Sequence, residues 1–382
     1  MQRTGKNSDR RTLAVLHPVF ALTGVLHAIG GALLPSLALT FRLSDSDSGF
    51  LFLLYFAGSS LGALLCRAHY ACTMTLGFVA TMACCLGVAM ASRPMLPVIF
   101  LLLGISVGVP MSAISLFVGK TFPGRCAPLL TFLNFSWSVG ALIAPLLAAR
   151  ILLHYQFRAA YIFLASASAM AALVCGVALR DEPQPERMIM GRQNSTAVRL
   201  IIVFALAAFL QVGVENTAAA WLPTYAQRMA GSGVVFAAAS SSLYWAGFLS
   251  SRGLSSLLLL RADPIRVFRV VVIVALIAAI LLAVVPTTAE RSVVMFVLGA
   301  ALAPIYPLVI AVFFARARQT SDSRWVMATA GFGGSVLPWL AGWISAHSGS
   351  LRVGMLTMPA ALLLMIFVLP ALRGASTMIA ES

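Results

Sequence analysis

Arg180-Asp181-Glu182-Pro183-Gln184-Pro185-Glu186-Arg187, continued through Thr196, is the one long polar interruption in a chain of 382 residues. Six apolar runs precede it and six follow. They lie at 13–41, 47–66, 70–91, 95–118, 127–149, 157–179, 199–224, 234–260, 267–286, 292–315, 325–346 and 353–372. Each is near the roughly 20 residues that a helix needs to cross a hydrocarbon core. The runs are continuous and do not alternate, which excludes a membrane β-barrel. The reading is therefore an all-α membrane protein with twelve transmembrane helices in two six-helix bundles. Residues 1–180 form the first bundle, 181–198 a linker and 199–382 the second.

Composition agrees. The chain is 60% hydrophobic and 10% charged, whereas soluble domains carry about 25% charged residues. No soluble enzyme could cover its surface with so few charges. The first run starts near Leu13 and reaches Phe41, longer than a signal-peptide core, so it is read as a span.

The chain holds 26 Lys and Arg against 11 Asp and Glu, a net +15. Nucleic-acid binding would need those charges on one folded patch. Instead, eighteen of them fall at the termini and in alternate loops, seven fall in the opposite loops, and Arg252 alone lies inside a run. Under the positive-inside rule this predicts that both termini and the 181–198 linker are cytoplasmic. No nucleic-acid partner is expected.

The two halves echo each other. Leu34-Pro35 matches Leu222-Pro223, Leu103-Gly104 matches Leu298-Gly299, Pro145 matches Pro338, and Arg158 matches Arg352, at offsets of 188 to 195. A near-constant offset in chain order indicates a parallel repeat, its halves related by an axis along the membrane normal. Gly58-Ser59-Ser60-Leu61-Gly62 is a small-residue face suited to close helix packing. Ser44-Asp45-Ser46-Asp47 reads as an N-cap cluster, its acids on the helix dipole.

Three motifs carry a family resemblance. They are Val212-Gly213-Val214-Glu215-Asn216-Thr217 with Trp221-Leu222-Pro223-Thr224-Tyr225, then Leu298-Gly299 through Pro304-Ile305-Tyr306-Pro307, and Gly331-Phe332-Gly333-Gly334 through Pro338-Trp339. They resemble helices 7, 10 and 11 of the fucose/glucose–proton symporter group of the major facilitator superfamily. The resemblance implies a secondary active transporter of the bacterial inner membrane. It would move a small polar solute, a hexose by preference, by alternating access with proton symport; sodium is the alternative coupling ion. In the superfamily's loop between helices 2 and 3, an acid usually precedes an arginine that gates the cytoplasmic side. Here Cys66 replaces the acid and Arg67 remains as the gating candidate. Fucose permeases also carry acids in helices 1 and 4, and neither helix has one here, so the coupling group must lie elsewhere.

Ionisable groups within spans are costly and mark function. Glu215 is the only Asp or Glu deep in a run, which makes it the proton-coupling candidate; a structural hydrogen bond to a neighbouring helix is the alternative. Gln211 sits one turn earlier and Asn216 beside it, offering donors and acceptors to sugar hydroxyls. His27, Asn134, Trp137, Trp245, Tyr306 and Trp339 complete the substrate candidates, as amides and flat aromatic faces. Arg252 is a gating candidate near the end of its helix. Trp221, Tyr225 and Trp343, close to helix ends, read as an interfacial belt.

The six cysteines show no metal spacing and read as apolar packers. Asn194-Ser195-Thr196 fits a glycosylation pattern but is placed in the cytoplasm. No phosphate-binding loop occurs. Neither an enzyme activity, a metal nor a cofactor is expected. An exporter of amphipathic drugs or lipids in the same fold is the first rival reading, and a transport-like sensor the second.

Overall fold

The computed structural model describes residues 2–66, 69–122, 126–179, 198–258, 264–314 and 323–374. Arg67, most of the 181–198 linker and the Asn194–Thr196 sequon lie outside them. The described residues form helices and short connections, in the order α1 (Gln2–Phe41), α2 (Asp45–Leu64), α3 (Tyr70–Met90), α4 (Leu96–Thr121), α5 (Cys126–Leu152), α6 (Phe157–Ala178), α7 (Val198–Ala230), α8 (Val234–Leu258) and α9 (Pro264–Val284). After these come α10 in two segments (Thr288–Leu302 and Ile305–Phe314), α11 (Ser323–Ser348), and α12 in two segments (Leu351–Met355 and Thr357–Gly374).

Among the described residues, ten helices are long and apolar enough to cross a membrane, and Leu351–Phe367 adds a shorter apolar one. α11 is long but rich in Gly, Ser and Trp. Large apolar side chains such as Leu76, Val98, Ile162 and Ile277 point outward, as they must where lipid rather than water surrounds the helices.

Prolines 18, 35, 110, 145, 223 and 338 lie inside continuous helices. α10 is different. Pro304 and Pro307 fall three residues apart and remove two backbone donors, and the helix breaks after Leu302. The Leu302 carbonyl is met from α7 by the Gln211 side-chain amide at 3.0 Å. A backbone group freed at membrane depth must find such a partner.

Helices approach each other at glycines. A Cβ on Gly58 or Gly104 would strike the backbone across the α2–α4 contact, and one on Gly247 or Gly299 would do so across α8–α10. Gly24 and Gly140 play that part between α1 and α5, and Gly333 between α7 and α11. The same helix pairs therefore touch backbone to backbone in both halves, as small-residue membrane packing predicts.

One sequence expectation fails here. α7 continues to Ala230, past the expected end at 224. Trp221 and Tyr225 are consequently buried, at 0% and 1% exposure, and do not belong to an interfacial belt. The Trp221 indole donates to the Pro338 carbonyl at 2.8 Å, and the Tyr225 hydroxyl to the Leu282 carbonyl at 2.9 Å. Trp343 is exposed, as a belt residue would be.

Candidate functional site

Among the contacts that join the first six helices to the last six are these three. α1 meets α7, α5 meets α8, and α2 meets α11. Glu215 sits on α7 near the middle of that helix and is buried. Its carboxyl lies beside the Gln211 side chain and interacts electrostatically with Arg252. Tyr244 of α8 and Tyr306 of α10 also lie within its electrostatic reach. Gln211 and Glu215 share a helical face because they are one turn apart.

Asn216, next in sequence, turns the other way. Its Nδ2 donates to the Gly334 carbonyl of α11 at 3.2 Å, and its side chain lies near His27 of α1. The amide thus ties α7 to α11 beside the first half. The His27 ring stacks edge-on to Trp137 at 5.1 Å between centroids and lies 5.3 Å from Phe56. Trp137 in turn meets Trp245 at 5.8 Å, and Trp245 meets Tyr244 at 5.0 Å. The result is a chain of aromatic faces running from α1 through α5 to α8.

Four polar atoms in this region are buried and have no hydrogen-bond partner among the described residues: His27 Nε2, Trp137 Nε1, Gln211 Oε1 and the Tyr244 hydroxyl. Buried polar groups are nearly always satisfied. A cluster of exceptions beside a buried carboxyl, framed by aromatic faces, is what a polar solute would complete.

Arg252 of α8 reaches across to α5. Its Nη1 donates to Ser138 Oγ at 2.8 Å and to the Asn134 carbonyl at 3.3 Å. Its guanidinium lies over the Phe248 ring at 4.5 Å and the Trp137 ring at 5.4 Å, a cation–π arrangement. The Asn134 side chain is exposed and donates to Leu130 of its own helix at 2.9 Å. Asn134 therefore contributes its carbonyl rather than its amide.

The remaining candidates scatter. Tyr306 is half-buried at the start of the second α10 segment. Trp339 lies in the α2–α11 contact, with its backbone against Gly49. Ser138 and Tyr244 escape a reading by sequence: a serine and a tyrosine within apolar helices look like packing residues. The one available signal for Ser138 is its place one turn after Asn134.

The N-cap cluster forms as expected, with Asp45 and Asp47 both in the first turn of α2, and Asp45 has further partners. The capping box at the start of α2 is made by Ser44 and Asp47, and Asp47 also pairs with Arg93 at 3.1 Å. Asp45 lies in the first turn, on the helix dipole, but outside the capping box. Its carboxylate pairs with Arg228 at the end of α7 and accepts from Ser345 Oγ of α11.

The arrangement of apolar, membrane-crossing helices defines a polytopic membrane protein, with a buried carboxyl and unpartnered polar atoms where its first and last six helices meet. The Major Facilitator Superfamily model matches residues 16–323, so the chain belongs to that family of transporters. Solved structures share its fold. A bacterial homologue of the human lysosomal transporter Spinster, in an inward-facing and occupied conformation, superposes with a TM-score of 0.76 at 14% identity, covering 96% of each chain. A D-xylose–proton symporter gives 0.75 at 15% identity, covering 93% of this chain and 96% of its own. The transporter FucP in an outward conformation gives 0.65 at 17%, covering 94% and 98%. No curated protein matches by sequence. At such identities the neighbours speak for the fold alone.

Proposed function

We propose that the protein is a secondary active transporter that moves a small polar solute, a hexose by preference, by alternating access with proton symport through Glu215. The observation that carries this reading is the burial of Glu215 beside unpartnered polar atoms from both halves. A carboxyl in such a place exchanges its proton when the cavity changes the side it faces, because the charged form is the costlier one to bury. Gln211, Asn216, His27, Trp137 and Trp245 line the solute's place, with Tyr306 at its edge. Indole and phenol faces stack on the CH surface of a sugar, while amide and imidazole groups meet its hydroxyls. Structural neighbours named for D-xylose and fucose proton symport support the choice of cargo and of coupling ion. The charge bias of the loops supports cytoplasmic termini in a bacterial inner membrane.

A second reading has its own support. The walls of the site are strongly aromatic, with Phe52, Phe56, Trp137, Trp245 and Phe248 close together, which suits export of an amphipathic drug or lipid. The test is a thermal-shift screen of the purified protein with hexoses, pentoses and nucleosides against lipophilic cations and lysolipids. Stabilisation by a sugar, followed by its uptake into proteoliposomes, supports the first reading. Stabilisation by the lipophilic compounds alone supports the second.

A further inference from the structure

We infer that Asp45, Arg228 and Ser345 form a latch that holds the two halves closed on the face of the protein opposite the chain termini, and that opening this face requires breaking it. The inference rests on the transporter reading for its purpose but not for its geometry.

Asp45 opens α2, in the first half. Arg228 and Ser345 lie at the ends of α7 and α11, in the second. Arg228 grips the carboxylate with both terminal nitrogens, Nη1 on Oδ2 at 2.7 Å and Nη2 on Oδ1. Ser345 donates to Oδ2 from the third helix. Two parallel N–H···O bonds are the strongest and most directional form of this pair. The Asp45 side chain is only 12% exposed, while that of Arg228 is 42% exposed, so the acid is fixed and the arginine is the movable part.

Beneath the pair the seam is close. Gly342 leaves no room for a Cβ against the Asp45 carbonyl and the Trp221 ring, and Gly49 faces the Trp339 backbone. One turn of α1 is held in the same way, Gly31 against Ala219 of α7. These contacts are neutral and need no specific partner. The Asp45 cluster supplies the polar, directional tie across them. Asp47, two residues on, shows by contrast what a cap acid does: it bonds Ser44 and Arg93, all within the first half.

The experiment is hydrogen exchange by mass spectrometry on the full chain in nanodiscs, which reads opening without any substrate. Asp45→Asn should raise exchange in peptides covering 31–52 and 218–230 about tenfold, the change expected when a charge-assisted bond is lost. Peptides from α3 and α9 should not change. The charge swap Asp45→Arg with Arg228→Asp should restore slow exchange. High salt should speed exchange in the wild type and leave Asp45→Asn unchanged, because Arg228 is exposed to screening. If Asp45→Asn exchanges like the wild type in those peptides, or the folded swap exchanges as fast as the single variant, the latch is refuted. Conservative Ser345→Ala, which keeps the ion pair, should show a smaller rise, and no rise would remove Ser345 from the latch. Solute uptake is measured separately, so a failure of the transport reading leaves this result standing.

Discussion

Two polar ties between the halves, among the described residues, are built from different chemistry. On the face opposite the termini, Arg228 meets a carboxylate in a two-pronged ion pair, partly in solvent. Deeper in, Arg252 meets neutral acceptors, the Ser138 hydroxyl and the Asn134 carbonyl, and rests on two aromatic rings. An exposed ion pair responds to salt and to loss of either charge. Arg252 also interacts electrostatically with the buried Glu215 carboxyl. The outer tie is thus self-contained, while the inner one is coupled to the site.

The largest effect is expected at the glycine seam beneath the outer tie. Gly342→Val places carbon against backbone and the Trp221 ring. Overpacking of this kind costs about 1–3 kcal/mol, and a clear fall in thermal midpoint in detergent is expected, with faster exchange confined to α2 and α11. Arg252→Ala comes next. It removes a charged hydrogen bond and the ring contacts, about 2 kcal/mol in all, and should raise leak of solute in proteoliposomes. Arg252→Lys keeps the charge but not the planar stacking and should recover only part of the effect. Ser138→Ala removes one acceptor and should cost about 1 kcal/mol, seen as a smaller leak. Asn134→Ala should change transport and stability least, within about 0.5 kcal/mol, because its side chain bonds only its own helix. A large effect of Asn134→Ala would place its amide on the solute and redraw the inner tie.

The spans were legible because hydropathy and length act locally. Arg252 and Glu215 stood out for a related reason: charges are so rare inside the runs that each one is conspicuous. What stayed hidden depends on distant partners. Asp45 and Asp47 look alike in sequence, yet only the second has the spacing of a capping box, and the partner of the first lies 183 residues away. Trp221 and Tyr225 resembled belt residues because the run of apolar residues ends near 224, whereas the helix itself continues to Ala230 and packs inward. The break in α10 was written in Pro304 and Pro307, but six other prolines sit in helices that do not break. Closely spaced prolines, with a side-chain amide ready to meet the freed carbonyl, separate the two cases.

Proton coupling through Glu215 is tested most directly by comparing wild type with Glu215→Gln in proteoliposomes loaded with the solute found by the screen. Two modes are read on the same vesicles: accumulation driven by an inward proton gradient, and counterflow exchange without a gradient. Glutamine keeps the shape and hydrogen bonding of the neutral carboxyl but cannot release a proton. The variant should therefore retain counterflow and lose gradient-driven accumulation. Accumulation equal to that of the wild type would contradict the account.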